Sequence, residues 1–152
     1  MSCLLSLKRS RVMESVGEVL ELFISKKSVD RMLLDIKGVL NDKFYAKDIN
    51  RSVLISSIDS YRLAQSRDIE LKYGKLGENI LIDYNPYRLK SGTQIQIGET
   101  ILEINQNCTL CKSLTKIDSK LPKLLKDDRG IFAKVIKAGE IKRRDKVYLI
   151  KN

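Results

Sequence analysis

Thr93-Gln-Ile-Gln-Ile-Gly-Glu-Thr-Ile-Leu-Glu-Ile104 is the stretch on which the fold class turns. From Thr93 to Ile97 polar and isoleucine positions alternate strictly, the period of a half-buried strand, and Ile101 to Ile104 resumes an apolar run. Gly98-Glu99 between them reads as a tight hairpin turn. Similar short units recur outward on both sides. Val16 to Ile24 is rich in β-branched, aromatic and leucine residues, and Arg51-Ser-Val-Leu-Ile55 and Asn79-Ile-Leu-Ile-Asp83 are further strand candidates. Gly130 to Lys137 and Lys146 to Ile150 read as two closing strands, separated by a turn containing Gly139. Helical signals are sparse. Ile58, Tyr61 and Ala64 stand at helical spacing behind Ser56 and Ser57, either of which can cap that helix. A short helix is expected after Cys108, and another within Ser119 to Lys126, with Pro122 near its first turn. Many short strands with few short helices predict a mainly β fold, a closed or nearly closed β-barrel rather than a βαβ arrangement.

At 152 residues the chain is long enough for one domain with a real core. Residues 1–15 read as an N-terminal extension ahead of a domain over 16–152, and Met13, followed directly by a good strand, is a second candidate start. Lys and Arg number 29 against 19 Asp and Glu, a formal charge of +10 that favours anionic partners or simply solvates the surface. No apolar run approaches the roughly 18–20 residues that span a bilayer. The opening Met1-Ser-Cys-Leu-Leu-Ser-Leu7 is too short for a signal-peptide core and its positive residues follow it, so a cytoplasmic protein is expected. Three cysteines, an odd number, point to free thiols rather than a disulfide scaffold.

Cys108-Thr-Leu-Cys111 is the local cluster whose chemistry goes beyond packing. It follows a strand and precedes Lys112 and Lys116, where helix dipoles and ammonium groups favour a thiolate. Four readings stand side by side. Structural zinc needs further ligands in a chain without histidine, which only a dimer of two such pairs supplies. A thioredoxin-like redox pair fits the spacing but lacks the βαβ setting. Two buried cysteines acting as small hydrophobes form the third reading.

The fourth comes from resemblance. Gly38-Val-Leu-Asn-Asp42 with Arg51 behind it, Tyr73-Gly-Lys-Leu-Gly-Glu-Asn-Ile80, Leu89-Lys-Ser-Gly92 with Ile97-Gly98, and Asp128-Arg-Gly130 with Gly139-Glu-Ile141 resemble, in order and spacing, the motifs of the MOSC domain family. That domain stands at the C-terminus of molybdenum cofactor sulfurases. The likeness runs from about Val16 to Ile150, and Leu76-Gly-Glu-Asn79 is its most specific segment.

The resemblance implies a barrel in which Cys111, three residues before Leu114, carries sulfur as a persulfide or ligates the molybdenum of a pterin cofactor (molybdopterin). Cys108 is then a resolving thiol. Arg51, Glu78, Asn79, Lys112 and Arg129 are the matching positions for cofactor contact, and a cysteine desulfurase or a molybdenum-cofactor protein is the expected partner. A sulfurtransferase or a molybdenum-dependent reductase component are the enzyme classes implied. Structural readings compete at each position: ion pairs with Asp48 or Asp128 for the two arginines, and a turn entered at Gly77 for Glu78 and Asn79. The chain departs from the family pattern at Asn41 and Arg144, where glycine is usual, and at Phe44-Tyr45, where many members have a histidine. Two other classes remain: a barrel that binds single-stranded nucleic acid through Tyr73, Tyr84 and Tyr87, disfavoured by their irregular spacing, and a non-catalytic anion-binding scaffold.

Overall fold

The computed structural model describes residues 12–109 and 112–151. Its strands are β1 (Val12–Ile24), β2 (Lys27–Val29), β3 (Arg31–Asp35), β4 (Gly38–Val39), β5 (Val53–Ser57), β6 (Ile80–Ile82), β7 (Gln94–Ile97), β8 (Thr100–Asn107), β9 (Ile131–Lys137), β10 (Gly139–Lys142) and β11 (Lys146–Lys151). Three short helices accompany them: α1 (Ile58–Gln65), α2 (Lys112–Ile117) and α3 (Leu121–Leu124). Among the described residues a 3-10 turn spans Ile49–Arg51. No helix among the described residues is long and apolar enough to cross a membrane.

The hairpin at Gly98 seeds the architecture. β7 pairs antiparallel with β8, and neighbours follow in the order β11-β7-β8-β9-β5-β6-β1, with β1 returning to β11. This closes a ring of seven strands and leaves no open edge within it. β5 and β6 pair in parallel, so the chain must cross over between them; it does so through α1 and residues 66–79. β2 folds back on β1, and β10, β3 and β4 form a separate three-stranded sheet.

Strand alternation explains why the molecule has two apolar clusters. Ile80 and Ile82 point into the barrel with Val19, Leu22, Ile55, Ile95, Leu102 and Ile104. Leu81, between them, points the other way and packs with Ile58, Ala64, Leu76, Leu114 and Leu121 beneath the helices. β6 is therefore buried on both faces, and each such aliphatic side chain contributes about 1.5–3 kcal/mol by leaving water.

Several local expectations need correction. β1 begins at Val12 rather than Val16, because its first residues pair with the end of β11. Arg51 lies in the 3-10 turn and not in β5, since Asp48 caps that turn by accepting from the Asn50 amide. Gly139 begins a strand instead of occupying a turn, for its partner β3 is remote in sequence. The helix cap agrees with one of the two serines expected: Ser57 caps α1 by accepting from the Asp59 amide at 3.0 Å. Left-handed backbone at Asn41 (φ 72°) and Arg144 (φ 72°) reproduces the glycine geometry that these residues replace.

Candidate functional site

A cavity of about 330 Å³ opens where the approach to β6, the end of β8 and the start of β9 come together. Gly77, Glu78 and Asn79 form one wall, Cys108 and Arg129 another, and Ser52 and Leu54 of the β5 approach a third. Lys26, Lys43, Phe44, Arg51 and Lys75 also line it, together with the carboxylates of Asp42 and Asp48. Gly77 turns the chain with φ 81°, a geometry that leaves room for Glu78 and Asn79 to face opposite partners.

Arg129 and Cys108 are in direct polar contact. Arg129 Nη1 donates to Cys108 Sγ at 2.9 Å, with the arginine 6% exposed and the cysteine 2%. Backbone pairing fixes this contact: the Cys108 amide donates to the Gly130 carbonyl at 2.9 Å, and Asn107 stands opposite Ile131. Gly130 packs closely on β5, where a Cβ would meet Leu54 Cδ1 at 3.0 Å. Arg129 Nε remains buried without a hydrogen-bond partner, as does Ser52 Oγ. A buried arginine with a spare donor normally finds an acceptor, and both residues line the cavity.

Glu78 is nearly as deeply set. Its Oε2 accepts from Ser56 Oγ at 2.6 Å and from the Tyr61 hydroxyl, while Oε1 has no protein partner. Burial pushes the carboxyl above its ordinary range, and the two hydroxyls only partly offset that. Tyr61 is in turn held up by burial and by Glu78, so it remains a phenol.

Asn79 is committed to the scaffold. Its Oδ1 accepts from the Leu54 amide at 3.1 Å, and its Nδ2 donates to the Phe23 carbonyl and to Asp42 Oδ1, each at 3.2 Å. Arg51 sits at the rim, paired with Asp48 at 3.0 Å and with its guanidinium 5.7 Å from the Phe132 ring centroid. The ion pair holds the Asp48 carboxyl below its usual range. Lys26, Lys43 and Lys75 at the mouth make no ion pair among the described residues. Lys43 instead lies over Phe44, 5.1 Å from the ring centroid, and Phe44 is 56% exposed.

Of the residues singled out in the sequence, Cys108, Arg51, Glu78, Asn79 and Arg129 line this one cavity. Cys111 lies outside the described residues, as does the side chain of Lys112. The ion pair expected between Arg129 and Asp128 does not form: Asp128 pairs with Arg88 at 3.3 Å, while Arg129 turns inward to the thiol. Ser52, Lys26, Lys43 and Lys75 were not anticipated. No local signal marks them, because their contribution depends on loops brought together by the closed ring. The three tyrosines do not form a shared platform: Tyr87 is buried, its hydroxyl accepting from the Ser57 amide at 2.7 Å, whereas Tyr73 is half exposed and packs edge-on against Tyr61.

The sequence pattern of the MOSC domain matches residues 40–148, from the turn before the cavity to β11. The chain belongs to the MOSC domain family. Solved structures agree on the fold. The YuaD protein from Bacillus subtilis superposes with a TM-score of 0.74 at 17% identity, covering 93% of this chain and 98% of that one. YiiM from Escherichia coli gives 0.70 at 17% identity, over 90% of this chain and 70% of that one. YiiM from Geobacillus stearothermophilus gives 0.64 at 14% identity, over 92% and 76%. At such identities the likeness is one of fold. No curated protein matches the chain in sequence. The MOSC match contains both halves of the cavity wall, Gly77 to Asn79 and Cys108 with Arg129.

Proposed function

We propose that this MOSC domain carries sulfur, or holds a molybdenum-pterin cofactor, through a thiol of the Cys108 to Cys111 segment at this cavity. The observation that carries the reading is the buried guanidinium of Arg129 pressed against Cys108 Sγ beside an open, cation-rimmed space. A thiol in contact with a fixed positive charge has the partner that an anionic sulfur needs, whether it attacks a sulfur donor or binds a soft metal.

The donor set suits such a cofactor. Sulfur is the ligand type that soft metal centres take, and the buried, unpartnered Ser52 Oγ and Arg129 Nε supply donors for anionic groups. No cluster of three metal-ligating side chains occurs among the described residues, so the protein would contribute the thiol and the cofactor the rest of the coordination. Lys26, Lys43 and Lys75 would meet its phosphate at the mouth. When bound, the cofactor would supply two-electron redox chemistry. Glu78, whose burial favours the neutral acid, would be the nearby proton source, and Arg129 would keep the thiol oriented. On the sulfur-carrying branch the sulfur comes from a separate protein, for which a cysteine desulfurase is the proposed partner.

Protein purified gently from its own host decides this by metal analysis, pterin fluorescence and intact mass. Molybdenum with pterin, or a mass gain of one sulfur atom, is the expected result. Protein carrying neither overturns the reading.

A further inference from the structure

We infer that Cys108 is the sulfur-accepting thiol of the cavity, and that the site takes sulfane sulfur from small sulfur oxyanions of the thiosulfate class. This rests on the sulfur-carrying branch of the reading above and names the donor and the atom.

Three independent features converge on it. Cys108 lies on the cavity wall with Arg129 Nη1 at 2.9 Å from its sulfur. Two buried polar atoms of residues on the same wall, Arg129 Nε and Ser52 Oγ, have no protein partner, which leaves both side chains with unused donor capacity beside the cavity. The charge balance of the lining also favours an anion. Lys26, Lys43 and Lys75 are free of carboxylates at the mouth. Asp42 is occupied by the Ser25 and Phe44 amides and by Asn79, and Asp48 by Arg51. Glu78, raised by burial, does not oppose a negative ligand while it keeps its proton.

A donor for this site must combine a soft electrophilic sulfur for the thiol with an oxyanion for Arg129 and Ser52. Thiosulfate has both in one small molecule. Its sulfonate oxygens would lie toward the spare donors and its terminal sulfur toward Cys108. Cys108 Sγ attacks that terminal sulfur and gives up its thiol proton to solvent. An Sγ–S bond forms, the S–S bond to the sulfonate sulfur breaks, and sulfite leaves with the electron pair of the broken bond. The cysteine sulfur is oxidised to the persulfide level and the central sulfur of thiosulfate is reduced to sulfite, so no other oxidant or reductant is required. Arg129 acts as a positioning residue for the thiol and as a binding residue for the anion.

The test uses the reduced full chain and sodium thiosulfate. Sulfite release is followed by colorimetry, and the added sulfur is located by intact mass and peptide fragmentation. One sulfur on Cys108, with matching sulfite, is expected. Arg129→Gln should raise the half-saturating thiosulfate concentration at least tenfold, and Arg129→Lys should restore part of the loss. No sulfite, an adduct at Cys111 or Cys3 instead, or an unchanged half-saturating concentration in Arg129→Gln overturns the inference. Should Arg129→Gln fail to fold, the location of sulfur on the wild-type chain still decides. Host-purified protein that carries sulfur or molybdenum while thiosulfate leaves Cys108 unmodified sinks this inference alone. Labelling of Cys108 by thiosulfate, with neither group on host protein, sinks the broader reading instead.

Discussion

Asn79 Nδ2 and Asp42 Oδ1 are joined at 3.2 Å, a hydrogen bond that spans 37 positions and ties the turn after β4 to the approach to β6. The two sequence motifs they belong to therefore meet in space. Asp42 also accepts from the Ser25 amide at 2.7 Å and the Phe44 amide at 3.1 Å, so one carboxylate organises three segments at the mouth of the cavity.

Removing the amide should be costly. Asn79→Ala leaves the Leu54 amide and the Phe23 carbonyl buried without their partners, and each stranded group costs about 1–3 kcal/mol. Asn79→Asp should be at least as damaging, since it sets a second carboxylate against Asp42. Urea unfolding should show a loss of about 3 kcal/mol or more in both. A loss below about 1 kcal/mol would contradict the bridging role.

Glu78 should make stability depend on pH in a defined direction. Its carboxyl titrates above the ordinary range in the folded chain because burial disfavours the charged form. The folded state then holds this proton more tightly than the unfolded chain does. That contribution is complete below the unfolded value of about 4.3 and is lost as pH rises through the folded value. Glu78→Gln, which keeps an oxygen for Ser56 and Tyr61 but cannot ionise, should flatten this decline. Denaturant midpoints measured from acid to alkaline pH test it, and parallel slopes in the two proteins would refute it.

Arg144→Gly should stabilise the protein slightly, although it deletes an ion pair. Arg144 holds φ 72°, a conformation that costs a non-glycine residue roughly 1–2 kcal/mol. Its pair with Glu18 at 3.1 Å is solvent-exposed, and such pairs contribute about 0–1 kcal/mol. A rise in thermal midpoint is expected on calorimetry, and a fall would show that the ion pair outweighs the backbone strain.

Cys108 should be tied to stability as well as chemistry. Cys108→Ala leaves the Arg129 guanidinium buried without its acceptor, a loss of about 2–3 kcal/mol. Cys108→Ser keeps an acceptor at the same place and should cost about half as much. Equal losses in the two variants would mean that Arg129 draws nothing from this contact.

The barrel was largely legible because its information is local. Alternation in Thr93 to Ile97 and the glycine turn at Gly98 state a hairpin without outside help, and the double burial of β6 is already visible in its continuous Ile-Leu-Ile run. β2, β3 and β4 were not legible. Lys27-Ser-Val29 is mostly polar, and Gly38-Val39 is too short to carry a period, so both become strands only when β1 and β3 supply partners. The start of β1 was missed for the same reason, since Val12 to Ser15 is mostly exposed and pairs with the distant β11.

By itself the sequence determined a mainly β chain, membership of the MOSC family, and most of the residues that meet at the cavity, because side-chain period and motif spacing are written along the chain. Only the tertiary structure decided that Arg129 abandons Asp128 for Cys108 and that Ser52 shares their wall. That choice depends on the register of β8 against β9 and on the closure of the ring. Hydrogen bonding between strands sets both, over separations that a local pattern does not encode.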